Sequence, residues 1–168
     1  MKSLVIAEKP SVGKDIARYL AAEKVQTAVW RAISILLPGR SAIWWSWQRR
    51  RSMIKNIRTG IWRIFMMPEP FKLEVIGKTA KQFGVVKRQL FRNDVKDIVI
   101  ATDAGREGEL VARFILMKAG CRKPLKRLWI SSVTDRAIKE GFSRLRDGRE
   151  YNHLRDAAMC RAEADWLV

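Results

Sequence analysis

The stretch Asp97-Ile98-Val99-Ile100-Ala101-Thr102-Asp103-Ala104-Gly105-Arg106-Glu107-Gly108-Glu109 decides the fold. Its apolar centre is continuous rather than alternating, which suits a strand buried on both faces of a parallel sheet. The strand, expected over Asp97 to Thr102, runs straight into Asp103. Gly105 then opens a helix expected over Arg106 to Ala119, with Leu110, Val111, Phe114 and Ile115 as its apolar stripe. Gly120 stands where a helix stop belongs.

The same alternation extends in both directions. Ser3-Leu4-Val5-Ile6-Ala7 is an apolar run of strand length. Pro10 and Ser11 begin a helix over about Val12 to Ala22, with Ile16, Ala17 and Leu20 on one face. Leu73 to Ile76 reads as a short strand, and Thr79 to Arg92 as a helix burying Phe83, Val86 and Leu90. Beyond Gly120, Leu128-Trp129-Ile130 reads as a strand. Thr134 caps a helix through about Arg146, with Ile138, Phe142 and Leu145 inward. A last helix begins near Tyr151 and continues to Val168. Strands alternating with helices predict an α/β domain with a mostly parallel sheet flanked by helices.

Composition bounds the function. At 168 residues and 48% apolar content the chain has room for one folded domain. No apolar run approaches the roughly 18 residues of a membrane span. The opening MKSLVIAEKPS meets an acid and a lysine too early for a signal peptide. Cys121 and Cys160 lack metal-site or disulfide-framework spacing. A cytoplasmic protein is the expectation. The formal charge of +17 points to a polyanionic partner, most simply nucleic acid.

Two acidic clusters stand at strand ends, where open α/β sheets place their ligands. One is Ala7-Glu8-Lys9-Pro10-Ser11 and the other runs from Thr102 to Glu109. Grouped carboxylates suit Mg²⁺, which takes one or two of them plus waters and phosphate oxygens. Lys9 and Arg106 are placed to hold a phosphate, or else to be solvated partners of the acids. Glu107 and Glu109, in a first helical turn, also complement the helix dipole without any ligand.

AEKPS followed by TDAGREGE resembles the Toprim domain of type IA topoisomerases, the topoisomerase III branch most closely. RLWISSVTDRAIKEGF and RAEADWLV are similar to the same family, so the resemblance covers positions 1–23 and 66–168. It implies a Rossmann-like Toprim domain over 1–150, with 151–168 opening a further helical domain. It also implies an enzyme that cuts one DNA strand with a tyrosine, passes another through and reseals the first, acting on single-stranded DNA. In that reading Glu8 and Lys9 are catalytic: Glu8 transfers a proton to the leaving 3′ oxygen and Lys9 stabilises charge on the phosphate. Glu8, Asp103 and Glu107 bind Mg²⁺, while Arg106, Arg161 and Asp165 lie along the DNA.

Two departures follow. Many relatives carry a second Asp where this chain has Gly105. Neither Tyr19, on a helix, nor Tyr151, near a helix start, stands in a motif that suggests a nucleophile, so this fragment is expected to bind rather than cut. The alternatives are a non-catalytic nucleic-acid-binding module and another Toprim enzyme, a nuclease or primase, for which AEKPS is a poor match.

The middle of the chain breaks the pattern. From Lys24 to Pro68 there is no Asp or Glu, against nine Lys or Arg and five of the seven Trp. Basic residues interleaved with aromatics suit stacking on single-stranded bases. The preferred reading is that residues 24–65 are translated out of frame and are non-native. Combining the last base of each codon with the first two of the next, Trp44-Trp45 forces Val, Trp47-Gln48 forces Ala and Met53-Ile54 forces Asp. Ser41 through Gln48 permits Gly-His-Leu-Val-Val-Leu-Ala, which carries the Gly-His-Leu turn the resemblance leads one to expect.

Overall fold

The structure is a computed structural model that describes residues 2–22, 31–34, 45–47, 73–75 and 77–167. Strand β1 (Lys2–Ala7) leads into helix α1 (Pro10–Ala22). Strands β2 (Arg31–Ser34), β3 (Trp45–Trp47) and β4 (Leu73–Val75) follow. Helix α2 (Ala80–Leu90) precedes β5 (Val95–Ala101), and α3 (Arg106–Ala119) precedes β6 (Leu125–Arg127). Helix α4 (Asp135–Ser143), the two-residue β7 (Arg146–Asp147), a 3-10 turn over Gly148–Tyr151 and α5 (Asn152–Leu167) complete it.

The main sheet has the order β2-β1-β5-β6-β7, parallel except for the antiparallel β7. β3 and β4 form a separate antiparallel pair. The two central strands are buried on both faces, as their unbroken apolar runs require. Leu4, Ile6, Ile98 and Ile100 pack on one side with Val86 and Leu90 of α2, Phe114 and Ile115 of α3 and Ala158 of α5. Val5, Val99 and Ala101 face the other way, onto Ile16 of α1, Ile138 of α4 and Leu128. Each fully buried Ile, Leu or Val side chain contributes about 1.5–3 kcal/mol. That three-layer core outweighs any single helix's propensity. The expected α/β class with a mostly parallel sheet is the observed one.

Helix α3 spans the expected residues, and Gly120 ends it in the left-handed conformation at φ 74°. Thr134 caps α4 as expected, its side chain accepting the Ala137 N–H. Three expectations need correction. The strand after α3 is Leu125–Arg127, not Leu128–Ile130, because the strand's last residue is a charged side chain with no exposure at all. Helix α4 stops at Ser143 rather than Arg146, since Arg146 and Asp147 leave to pair with β6. On α1, Ala17 is exposed; Ile16 is the buried residue and Val12, Tyr19 and Leu20 accompany it. Of the stretch 24–65, β2 and β3 are among the described residues; the rest of that expectation lies outside them, as do Ile76 and Val168.

Candidate functional site

The parallel register sets Ala7 beside Ala101 at the carboxyl ends of β1 and β5. Glu8 and Lys9 therefore leave the sheet next to Thr102 and Asp103. Helices α1 and α3 begin one turn further on, so two helix N-termini open near this edge and favour negative charge there.

Lys9 Nζ donates to Asp103 Oδ2 at 2.7 Å across this junction. The bond and the Asp103 charge raise the Lys9 pKa. Glu8 is half-buried, and that burial pushes its carboxyl above the ordinary range, with the Asp103 charge pushing the same way. The Asp103 N–H donated to Glu8, and the charges of Lys9 and Arg127, pull in the opposite direction. Two carboxylates thus share one corner with a single lysine between them. Arg106 and Glu107 are exposed in the first turn of α3. Among the described residues, no three His, Cys, Asp or Glu side chains gather into a metal-holding group. Glu8 and Asp103 are brought together, and Glu107 does not join them in such a cluster. Arg161 and Asp165 pair with each other at 3.7 Å on α5, both exposed.

The turn after β5 has two glycines with opposite demands. Gly105 is extended (φ 177°, ψ 175°), a conformation any residue adopts, and a Cβ there would meet nothing within 4 Å. At Gly108 a Cβ would overlap the carbonyl oxygen of Asp103, so α3 presses its backbone directly onto the acidic turn.

Beneath the turn lies a charged network that sequence reasoning missed. Glu109 is completely buried; it accepts from Arg113 Nε at 2.7 Å and lies 3.1 Å from Arg127 Nε. Arg113 also donates to the Gly148 carbonyl. Arg127 donates to the carbonyls of Ile100 (3.0 Å), Thr102 (2.9 Å), Leu128 (3.0 Å) and Asp103 (2.8 Å). The one available signal was the Glu109–Arg113 spacing of four residues within an apolar helix face. Neither tyrosine stands free at the acidic corner. Tyr19 stacks on Phe142 with centroids 6.3 Å apart, and the buried Tyr151 on Trp129 at 5.0 Å. No helix among the described residues is long and apolar enough to cross a membrane.

Comparison with known proteins follows the same lines. DNA topoisomerase 3 of Bacillus subtilis (strain 168) is 52% identical over 174 residues, spanning 99% of this chain but 23% of that protein. DNA topoisomerase 3 of Staphylococcus aureus (strain MRSA252) is 48% identical over 171 residues, spanning 100% of this chain and 24% of its own length. The chain therefore corresponds to about a quarter of these relatives. Full-length topoisomerase I from Thermotoga maritima, in a monoclinic crystal form, superposes with a TM-score of 0.55 over 86% of this chain and 21% of its own. At 19% identity that likeness speaks for the fold alone. The Toprim domain model matches residues 3–133, the span that holds both acidic clusters and all but the last strand of the sheet, and the chain belongs to the Toprim family.

Proposed function

We propose that this chain is the N-terminal, Mg²⁺-binding Toprim part of a type IA DNA topoisomerase of the topoisomerase III kind, a cytoplasmic enzyme that cuts, passes and reseals single DNA strands. The observation that carries the reading is the junction of Glu8, Lys9 and Asp103 at the carboxyl edge of β1 and β5. The identity of about 50% to proteins named DNA topoisomerase 3 supports it. We assign residues 1–150 to the Toprim domain and 151–168 to the first helix of the next.

The donor set fits a hard divalent cation. Glu8 and Asp103 are two carboxylates that repel one another and are only partly neutralised by Lys9. They would hold Mg²⁺, with Glu107 assisting from the first turn of α3. When bound, the ion supplies positive charge to the phosphate oxygens. Glu8 would hold the cation in its ionised form and, in its protonated form, give a proton to the leaving 3′ oxygen. Lys9 and Arg106 face the phosphate as preorganised cations. Arg161 and Asp165 border the path of a single DNA strand along α5. Tyr19 and Tyr151 are held in aromatic stacks, so neither serves as the nucleophile.

A chimaera tests the proposal: residues 1–23 and 66–168 of this chain replace their counterparts in Bacillus subtilis DNA topoisomerase 3. It is expected to relax negatively supercoiled plasmid with Mg²⁺ and to lose relaxation on Glu8→Gln or Asp103→Ala. A folded chimaera that relaxes nothing sinks the assignment. The 168-residue chain by itself is expected to form no covalent link to DNA, and a protein-linked 5′ phosphate would contradict that.

A further inference from the structure

Arg127 is the bulkiest fully buried side chain among the described residues. A guanidinium in a dry interior is costly, and apolar residues of similar volume generally fill such space at least as well. Its donors show what it is for. Three of the four carbonyls it binds belong to Ile100, Thr102 and Asp103, the end of β5 and the turn that bears the acidic site. Its remaining edge faces Glu109, which Arg113 holds from the other side. The Trp129 ring covers the guanidinium at 4.9 Å from the ring centroid. A cation needed only to pin the sheet would bond along the ladder; this one also reaches two carbonyls, of Thr102 and Asp103, beyond the last paired residue of β5, Ala101.

We propose that Arg127 is a positioning residue of the acidic site, clasping the Ile100–Asp103 backbone so that the Asp103 carboxylate stands where Glu8 and Lys9 meet it. Glu109 in turn fixes the orientation of the guanidinium. The inference rests on reading Glu8 and Asp103 as the metal-binding pair. Arg127 touches no ligand itself; it acts as do the outer partners that orient metal ligands elsewhere, whose loss costs about 10–100-fold in metal affinity.

The test uses the whole chain, with Mn²⁺ as a paramagnetic stand-in for Mg²⁺. Mn²⁺ affinity, amide exchange over residues 102–105 and the melting midpoint are measured for the wild type, Arg127→Lys and the paired variant Arg127→Met/Glu109→Gln. The pair leaves no buried carboxylate without a cation, because the amide at 109 still accepts from Arg113. A folded paired variant is expected to bind Mn²⁺ about tenfold to a hundredfold more weakly, with faster exchange at 102–105 and unchanged exchange in β1. Arg127→Lys, which keeps the charge and fewer donors, should fall between. Wild-type Mn²⁺ affinity in the folded paired variant overturns the proposal. If that variant fails to fold, Arg127→Lys decides: wild-type affinity overturns it and weakened affinity supports it. If the wild type takes up no Mn²⁺, or does so equally well after Asp103→Ala, the metal reading fails instead. Exchange at 102–105 then decides alone, unchanged values overturning the clasp.

Discussion

Lys9 Nζ and Asp103 Oδ2 lie 2.7 Å apart although 94 positions separate the two residues in the chain. Both side chains are about half exposed, so the pair ties the ends of β1 and β5 with little net energy. An ion pair in such water is worth roughly 0–1 kcal/mol. Its meaning is chemical rather than structural. Lys9→Met should therefore shift unfolding free energy by less than about 1 kcal/mol, while weakening phosphate or oligonucleotide binding. Denaturant titration beside a fluorescence binding assay separates the two, and a large loss of stability with binding intact would reverse the conclusion.

Glu8 makes stability depend on pH. Its carboxyl is raised, chiefly by burial and then by Asp103, so the folded chain holds that proton more tightly than the unfolded one. The stability this group contributes is fully present below the ordinary glutamate range and is lost as pH rises through the raised value. Glu8→Gln removes that loss. Subtracting the two melting curves cancels the opposite contributions of Asp97 and Asp156, whose carboxyls are lowered. The variant should gain on the wild type as pH climbs from mildly acidic to neutral, and a constant difference would mean that Glu8 is not raised.

Two glycines within helices make a matched pair. Gly84 of α2 has nothing within 4 Å of a would-be Cβ, so Gly84→Ala should stabilise by about 0.5–1 kcal/mol through helix propensity alone. Gly108 presses on the Asp103 carbonyl, and Gly108→Ala should destabilise by about 1–3 kcal/mol despite the same propensity gain. It should also weaken Mg²⁺ uptake by displacing Asp103. Unfolding curves of equal sign for both substitutions would refute the packing account.

Gly105 leaves space for a third carboxylate. Its extended backbone suits any residue and its surroundings are open, so Gly105→Asp should fold normally. Calorimetric titration should show Mg²⁺ bound roughly tenfold more tightly, because affinity for hard cations follows carboxylate number. Unaltered affinity would place the metal away from this turn.

The source gene, sequenced across codons 20–70, should spell acids and Gly-His-Leu when read in the shifted frame through residues 24–65. A shifted frame without family-like text would establish the basic, aromatic stretch as genuine.

Much of the fold was legible because hydrophobic runs announce it. Val99 reads as part of a strand buried on both faces and Val5 as part of an apolar run of strand length, and both are fully buried strand residues. Strand β6 was hidden by its own chemistry: Lys126 and Arg127 are charged, so no apolar run marks the strand, and nothing local reveals that Arg127 has carbonyl partners 24–27 residues earlier in the chain. Strand β7 is two residues long, too short to display any period. At the site, Glu8, Lys9 and Asp103 were recognisable because they terminate apolar runs. Glu109 was ambiguous because a first-turn acid complements the helix dipole whether or not it is buried, and only the third dimension brings Arg127 to it.

The strand order has a consequence for how the chain is made. Of the two parallel partners of β1, β2 follows at Arg31 but β5 begins only at Val95, and the Arg127 clasp needs β6 as well. At about 5–20 residues per second, that wait is on the order of ten seconds. Until β5 is made, Leu4, Val5 and Ile6 lack the strand that pairs with them along their second edge. The clasped form of the acidic corner is therefore available late, and synthesis through Leu128 is the earliest moment at which the nascent chain can possess it. Earlier still, β1 can pair along one edge only, with β2, and its other edge waits for β5.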